Sequence, residues 1–106
     1  MAYGSAAMDA LGDPTRRRIL EVLRDGEHSV RELTDATDVS QPAVSQHLRV
    51  LKGAGLVEVR PAGARRLYSV NPGGLADVRA WVDSFWDDAL DAFVQHANST
   101  PPGRTP

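Results

Sequence analysis

Between Ser40 and Pro72 the chain gathers Gln41, Ser45, Gln46, Arg49, Lys52 and the adjacent pair Arg65 and Arg66. These side chains are of the types that meet base edges and phosphates. A glutamine amide matches adenine, a guanidinium matches guanine or two phosphate oxygens, and a hydroxyl or ammonium suits a phosphate. The stretch holds five basic residues (Arg49, Lys52, Arg60, Arg65, Arg66) and a single acid, Glu58. From Gly73 to Asn98 the balance reverses, with Arg79 against Asp77, Asp83, Asp87, Asp88 and Asp91. The overall charge of −2 therefore hides a basic middle and an acidic end. Such segregation gives one face to a polyanion and keeps another for something else. Eleven of the twelve basic residues are arginine, a bias that GC-rich coding explains for most of them.

Other chemistries lack their residues. The absence of cysteine removes disulfides, thiolate metal sites and cysteine nucleophiles together. There is no glycine-rich phosphate loop, nucleophile elbow or His-plus-carboxylate cluster, so the reading is not an enzyme and no cofactor is expected. His47 lies at the edge of a core face, where a hydrogen-bonded structural role and a phosphate contact stay equally open. His28, in a loop, and His96, near the end, read as solvated. Asp83, Asp87 and Asp91 form an i, i+4, i+8 row that reads as a solvated helix face rather than a cation site. Arg16, Arg17 and Arg18 read as helix surface paired with Asp13 and Glu21, in preference to a DNA-backbone contact. The apolar runs fall far short of the roughly 20 residues that span a bilayer, so no membrane partner is expected. No basic segment followed by an apolar run opens the chain, and a domain without staples fits a reducing cytoplasm.

The elements that must position these side chains are legible in order. In DPTRRRILEVLRDG, Asp13 suits an N-cap, Pro14 the first helical position and Gly26 a left-handed C′ position. Ile19, Leu20 and Leu23 make its apolar face, and Ala6 to Leu11 suggest a short helix before it. Ser29 and Glu32 match a capping box opening a two-turn helix that presents Val30 and Leu33. Thr37 to Val39 break it, and Ser40 caps a third helix with Pro42 in its first turn. At 100° per residue, Val44, Leu48 and Leu51 cluster toward the core and leave Pro42, Ser45, Gln46 and Arg49 opposite. Gly53 and Gly55 end that helix. LVEVR and RRLYSV, joined by Pro61 to Ala64, read as a β-hairpin with Val57 and Val59 facing either Leu67 or Tyr68. The last helix, from about Pro72 to Asn98, carries Leu75, Val78, Val82, Phe85, Ala89 and Phe93 at steps of three and four. Trp81, Trp86, Leu90 and Val94 form a second stripe beside the first. Two stripes on a terminal helix exceed what one small core needs and imply a partner.

Helix, short helix, break, polar-faced helix and basic hairpin make a winged helix-turn-helix, mainly α with a small β-hairpin wing, dimerising through its terminal helices. Residues 1–97 are expected to be the DNA-binding and dimerisation domain, and residues 98–106, rich in proline, a disordered tail. The expected partners are double-stranded DNA and a second copy of the chain. DNA would be met by Gln41, Pro42, Ser45, Gln46, Arg49, Lys52, Arg65 and Arg66. The dimer would be built from Met8, Leu11, Leu75, Val78, Trp81, Val82, Phe85, Trp86 and Phe93. A protein-interaction module is the competing class, but its third helix should present an apolar or acidic outer face. This one is polar and basic.

The stretch from Leu11 to Val70 resembles the ArsR/SmtB family of winged-helix repressors, especially its metal-independent, autorepressor-like members. LGDPTRRRIL, SQPAVSQHLRVLKGAGLV and RRLYSV carry the resemblance. It implies a homodimer on an imperfect palindrome, with Gln41, Ser45 and Gln46 in the DNA-reading set. Metal sensors of the family bear Cys-x-Cys where this chain has Ser29 and Arg31. They bear another set along the last helix, where it has Asp77, Arg79, Leu90 and Phe93. No tetrahedral ligand set is expected there. A ligand- or metal-responsive repressor with a sensor site of another kind remains the alternative, and the residues name no inducer.

Overall fold

The computed structural model describes residues 5–99, as α1 (Ser5–Ala10), α2 (Pro14–Leu23), α3 (Val30–Thr37), α4 (Gln41–Gly53), β1 (Val57–Ala62), β2 (Arg65–Val70) and α5 (Pro72–Ser99). α5 thus runs two residues into the segment expected to be tail, and residues 100–106 lie outside the described residues.

The helix starts follow local chemistry. Asp13 accepts the Arg16 N–H at 3.0 Å with Pro14 in the first turn. Ser29 and Glu32 bond reciprocally, backbone to side chain, at 3.2 and 2.7 Å. Ser40 accepts the Ala43 N–H at 3.3 Å. Each such cap contributes about 1 kcal/mol. α2 ends earlier than its sequence suggests: Arg24 is the C-cap, which moves Gly26, at φ 137°, one place beyond C′. Asp38, at φ 58°, closes α3 in the left-handed region that a short polar side chain tolerates.

Ile19 and Leu23 of α2, Leu33 of α3, Val44, Leu48 and Leu51 of α4, and Leu56 and Val57 bury one another, with Ala7 and Ala10 of α1 closing one side. Leu11, Tyr68, Val70, Leu75 and Val78 pack around this core. Arg16 and Arg17 tie α1 to α2. Their side chains donate to the carbonyls of Ala10 and Leu11, each at 2.6 Å, instead of pairing with Glu21 as expected.

The hairpin is tighter than expected. Pro61 and Ala62 belong to β1, and the loop is Gly63-Ala64 alone. Gly63 takes φ 64°, the positive value that a two-residue hairpin loop asks of its first central residue. Pro61 is tolerated because a two-stranded sheet is all edge. Val59 pairs with Tyr68 and Val57 with Val70, which settles the open choice: Tyr68, not Leu67, shares the inner face. His28 exchanges both backbone hydrogen bonds with Tyr68, at 3.0 and 2.8 Å, and so docks the α2–α3 loop on the wing. Its ring is not simply solvated, since Nδ1–H donates to the Gly26 carbonyl at 2.8 Å.

A close backbone approach launches α5. Asn71 donates its side-chain amide to the Gly55 carbonyl and its own N–H to the Leu56 carbonyl, both at 2.9 Å. A Cβ on Gly74 would run into that Gly55 carbonyl. Leu75 and Val78 still touch the core; beyond them every described side chain of α5 is exposed. At about 1.5 Å per residue the helix is roughly 42 Å long, which is more than half of the 69 Å extent of the molecule.

Candidate nucleic-acid interface

The inner residues of α4 are fixed by the core, so its outer face is fixed too. Gln41 and Pro42 stand exposed in its first turn, and Ser45, Gln46, Arg49 and Lys52 follow along the solvent side. Arg49 Nη1 donates to Gln46 Oε1 at 3.4 Å, a long contact that leaves both free to meet another partner. His47, on the flank of the helix, resolves toward the structural role. Its Nδ1 lies 3.5 Å from Arg16 Nη1 and 3.9 Å from Asp13 Oδ2, linking α4 to the start of α2. The Arg16 N–H bond, reinforced by His47 and by the Arg16 charge, holds the Asp13 carboxyl below the usual carboxylate range.

The wing brings its arginines to this helix. Arg65 and Arg66 open β2 and are exposed. Arg66 and Tyr68 face Ser45, Leu48, Arg49 and Lys52 across a cleft of about 240 Å³. α4 and the hairpin thus share one basic wall, while Gln41 and Pro42 sit beyond it at the helix start. On the wing's other flank, Arg65 and Arg66 line a wider cleft of about 480 Å³ with Ser29, Val30 and Arg31. Arg60, basic in the sequence count, is not part of the wall. Glu27 grips it at 2.6 and 2.8 Å, and that pairing holds the Glu27 carboxyl below its ordinary range. Sequence reasoning does not place Arg31 on this second flank, since it stands in another segment and only the hairpin's fold-back brings it beside the wing.

The residues expected at a dimer interface divide in two. Leu11, Leu75 and Val78 pack on the chain's own core, and Met8 is half-buried. Trp81, Val82, Phe85, Trp86 and Phe93 are exposed, Phe93 to 68%. Trp81 and Phe85 meet edge to face with ring centroids 4.6 Å apart.

Residues 13–59 match the family model described as bacterial regulatory protein, arsR family. The HTH-type transcriptional regulator Rv2034 of Mycobacterium tuberculosis is 52% identical over 93 residues, 88% of this chain and 87% of that protein. The chain belongs to the arsR family. The transcriptional repressor SdpR of Bacillus subtilis is 34% identical over 76 residues, 72% of this chain and 84% of its own. Among solved structures, a homodimeric winged helix-turn-helix DNA-binding domain from Mycobacterium bovis, a possible ArsR-family transcriptional regulator, superposes with a TM-score of 0.65. It is 32% identical, with 83% of this chain and 82% of that one covered. This arsR-family chain is a DNA-binding transcriptional regulator built on a winged helix-turn-helix. Among its described residues no three His, Cys, Asp or Glu side chains group to hold a metal ion, and no helix is long and apolar enough to cross a membrane.

Proposed function

We propose that this regulator is a cytoplasmic homodimeric repressor, its residues 5–99 acting as one DNA-binding and dimerisation unit on a pseudo-palindromic operator. Ser45, Gln46 and Arg49 enter the major groove and discriminate bases, Gln46 toward adenine and Arg49 toward guanine. Gln41, Pro42 and Lys52 lie along the groove edge, and Arg65 and Arg66 neutralise phosphates or enter the minor groove. The observation that carries this reading is the cleft in which Arg66 of the wing meets Ser45, Arg49 and Lys52 of α4. No acid lines that cleft, and its one aliphatic residue, Leu48, is buried in the core, which speaks against a protein-docking platform.

The exposed apolar length of α5 supports pairing, since a monomer would leave Phe85, Trp86, Leu90 and Phe93 more than half in water. A homodimeric neighbour in the same family supports it as well. Two-fold symmetry then sets two α4 helices about one DNA turn, or a multiple of it, apart. Metal is not the signal in this reading, because the family's ligand positions hold Ser29, Arg31, Arg79, Leu90 and Phe93.

Selection of genomic fragments bound by the purified protein tests the function. The expected result is a recurring pseudo-palindrome in promoter regions whose occupancy blocks transcription. Retention of fragments without any shared sequence would contradict a specific repressor.

A further inference from the structure

The arginines of the chain divide by what engages them. Arg16 and Arg17 hold carbonyls at the α1–α2 turn, Arg60 is paired with Glu27, and Arg79 with Asp83. Arg31, Arg65 and Arg66 form no ion pair among the described residues. Yet they line one cleft of about 480 Å³, between the first turn of α3 and the wing. Ser29, Val30, Ala64 and Tyr68 complete its wall. The neighbouring acid, Glu32, turns its carboxylate to the Ser29 N–H at 2.7 Å, and that bond, with the Arg65 charge as a lesser cause, holds it below its ordinary range. Three guanidinium groups around one opening repel each other and raise the local potential for anions. A guanidinium fork fits two oxygens of one phosphate, and binding there releases the cations condensed on a nucleic-acid backbone.

We propose that this cleft is a second phosphate-binding site on the DNA side of the protein, in which Arg31 and the wing arginines hold a phosphodiester of the operator backbone. The proposal rests on the repressor reading and adds to it a site separate from the α4 cleft. DNA is favoured over a free anion by continuity, because Arg66 and Tyr68 line both clefts and make them the two flanks of one wing. A backbone strand crossing Arg66 reaches Arg31 on one side and Arg49 with Lys52 on the other. The wing therefore straddles the strand, and each half-site extends past the bases that α4 can read.

The test uses the full chain, with Arg31→Ala and Arg31→Lys, on the selected operator and on random duplex across a salt series. Arg31 is exposed, so both variants should fold, which circular dichroism verifies. Arg31→Ala should weaken both duplexes alike, flatten the salt dependence by about one unit per protomer and leave the operator-to-random ratio unchanged. Arg31→Lys should keep the slope. Wild-type affinity and slope in Arg31→Ala, while Arg65→Ala and Arg66→Ala weaken binding, would overturn the site and leave the repressor reading intact. A wild type that binds no DNA would sink the repressor reading and the site with it. Inorganic phosphate should act no differently from chloride at matched ionic strength. A phosphate-specific release of DNA, abolished by Arg31→Ala, would reassign the cleft to a free anion and overturn the backbone contact.

Discussion

Phe85→Ala separates dimerisation from folding better than any change in the core. Phe85 is 56% exposed in the single chain, so its loss leaves no cavity there. A phenylalanine carries roughly 200 Å² of coverable surface, so roughly 110 Å² per protomer awaits a partner. At about 25 cal/mol per Å² this is about 2.8 kcal/mol per protomer, and two-fold symmetry doubles it. Alanine keeps part of that contact, so about 4 kcal/mol is the expected loss, about a thousandfold in the dimer dissociation constant. The edge-to-face contact with Trp81 adds a smaller loss within each chain. Sedimentation equilibrium of wild type and variant reads the constant, and circular dichroism reads the fold. Leu48→Ala is the contrasting control: Leu48 is 1% exposed in the core, and its truncation should cost about 2–5 kcal/mol of folding. A wild type that sediments as a folded monomer at high micromolar concentration would refute the reasoning. So would a Phe85→Ala variant that associates like wild type.

Gly74→Ala should destabilise the fold by about 1–3 kcal/mol in urea unfolding, because its methyl meets the Gly55 carbonyl where α5 leaves the core; unchanged stability would mean that corner yields freely. Acid should destabilise the protein for a traceable reason. Glu27 is held below its ordinary 4.5 by Arg60, so its contribution is present above that value and lost as pH falls through the folded pKa. Arg60→Gln should therefore flatten the acid limb of a stability–pH curve below about pH 4.5, and a curve parallel to wild type would remove the pairing from the explanation. Zinc, nickel, cadmium or arsenite at low micromolar concentration should leave operator affinity unchanged; a tenfold loss with any of them, about 1.4 kcal/mol of coupling, would restore metal sensing.

What was legible in the sequence was what local rules govern. Asp13, Ser29 with Glu32, and Ser40 announce three helix starts because capping needs only a side-chain oxygen near a free N–H. Val44, Leu48 and Leu51 announce the inner face of α4, and by exclusion its outer one, because 3.6-residue periodicity is strict. The wing was only half readable. In RRLYSV alternation alone does not choose between Leu67 and Tyr68; the two-residue loop at Gly63-Ala64 sets the register, and one residue of slip exchanges the faces. The His28–Tyr68 bridge has no periodicity to betray it, being a single pair. The carbonyl contacts of Arg16 and Arg17 depend on where α1 ends against α2, and Arg31 meets the wing only through the hairpin's return. The apolar face of α5 was readable as apolar, while in a single copy of the chain it stands exposed.

The account stands or falls on which side chains read bases. The most direct measurement is competition binding of wild type, Gln46→Ala and Arg49→Ala to the selected operator against scrambled duplex of equal length and salt. Each variant should lose about 1–3 kcal/mol of discrimination per half-site while its affinity for the scrambled duplex changes little. If both variants keep the full operator preference, the outer face of α4 does not read the sequence, and the assignment of the recognition helix is wrong.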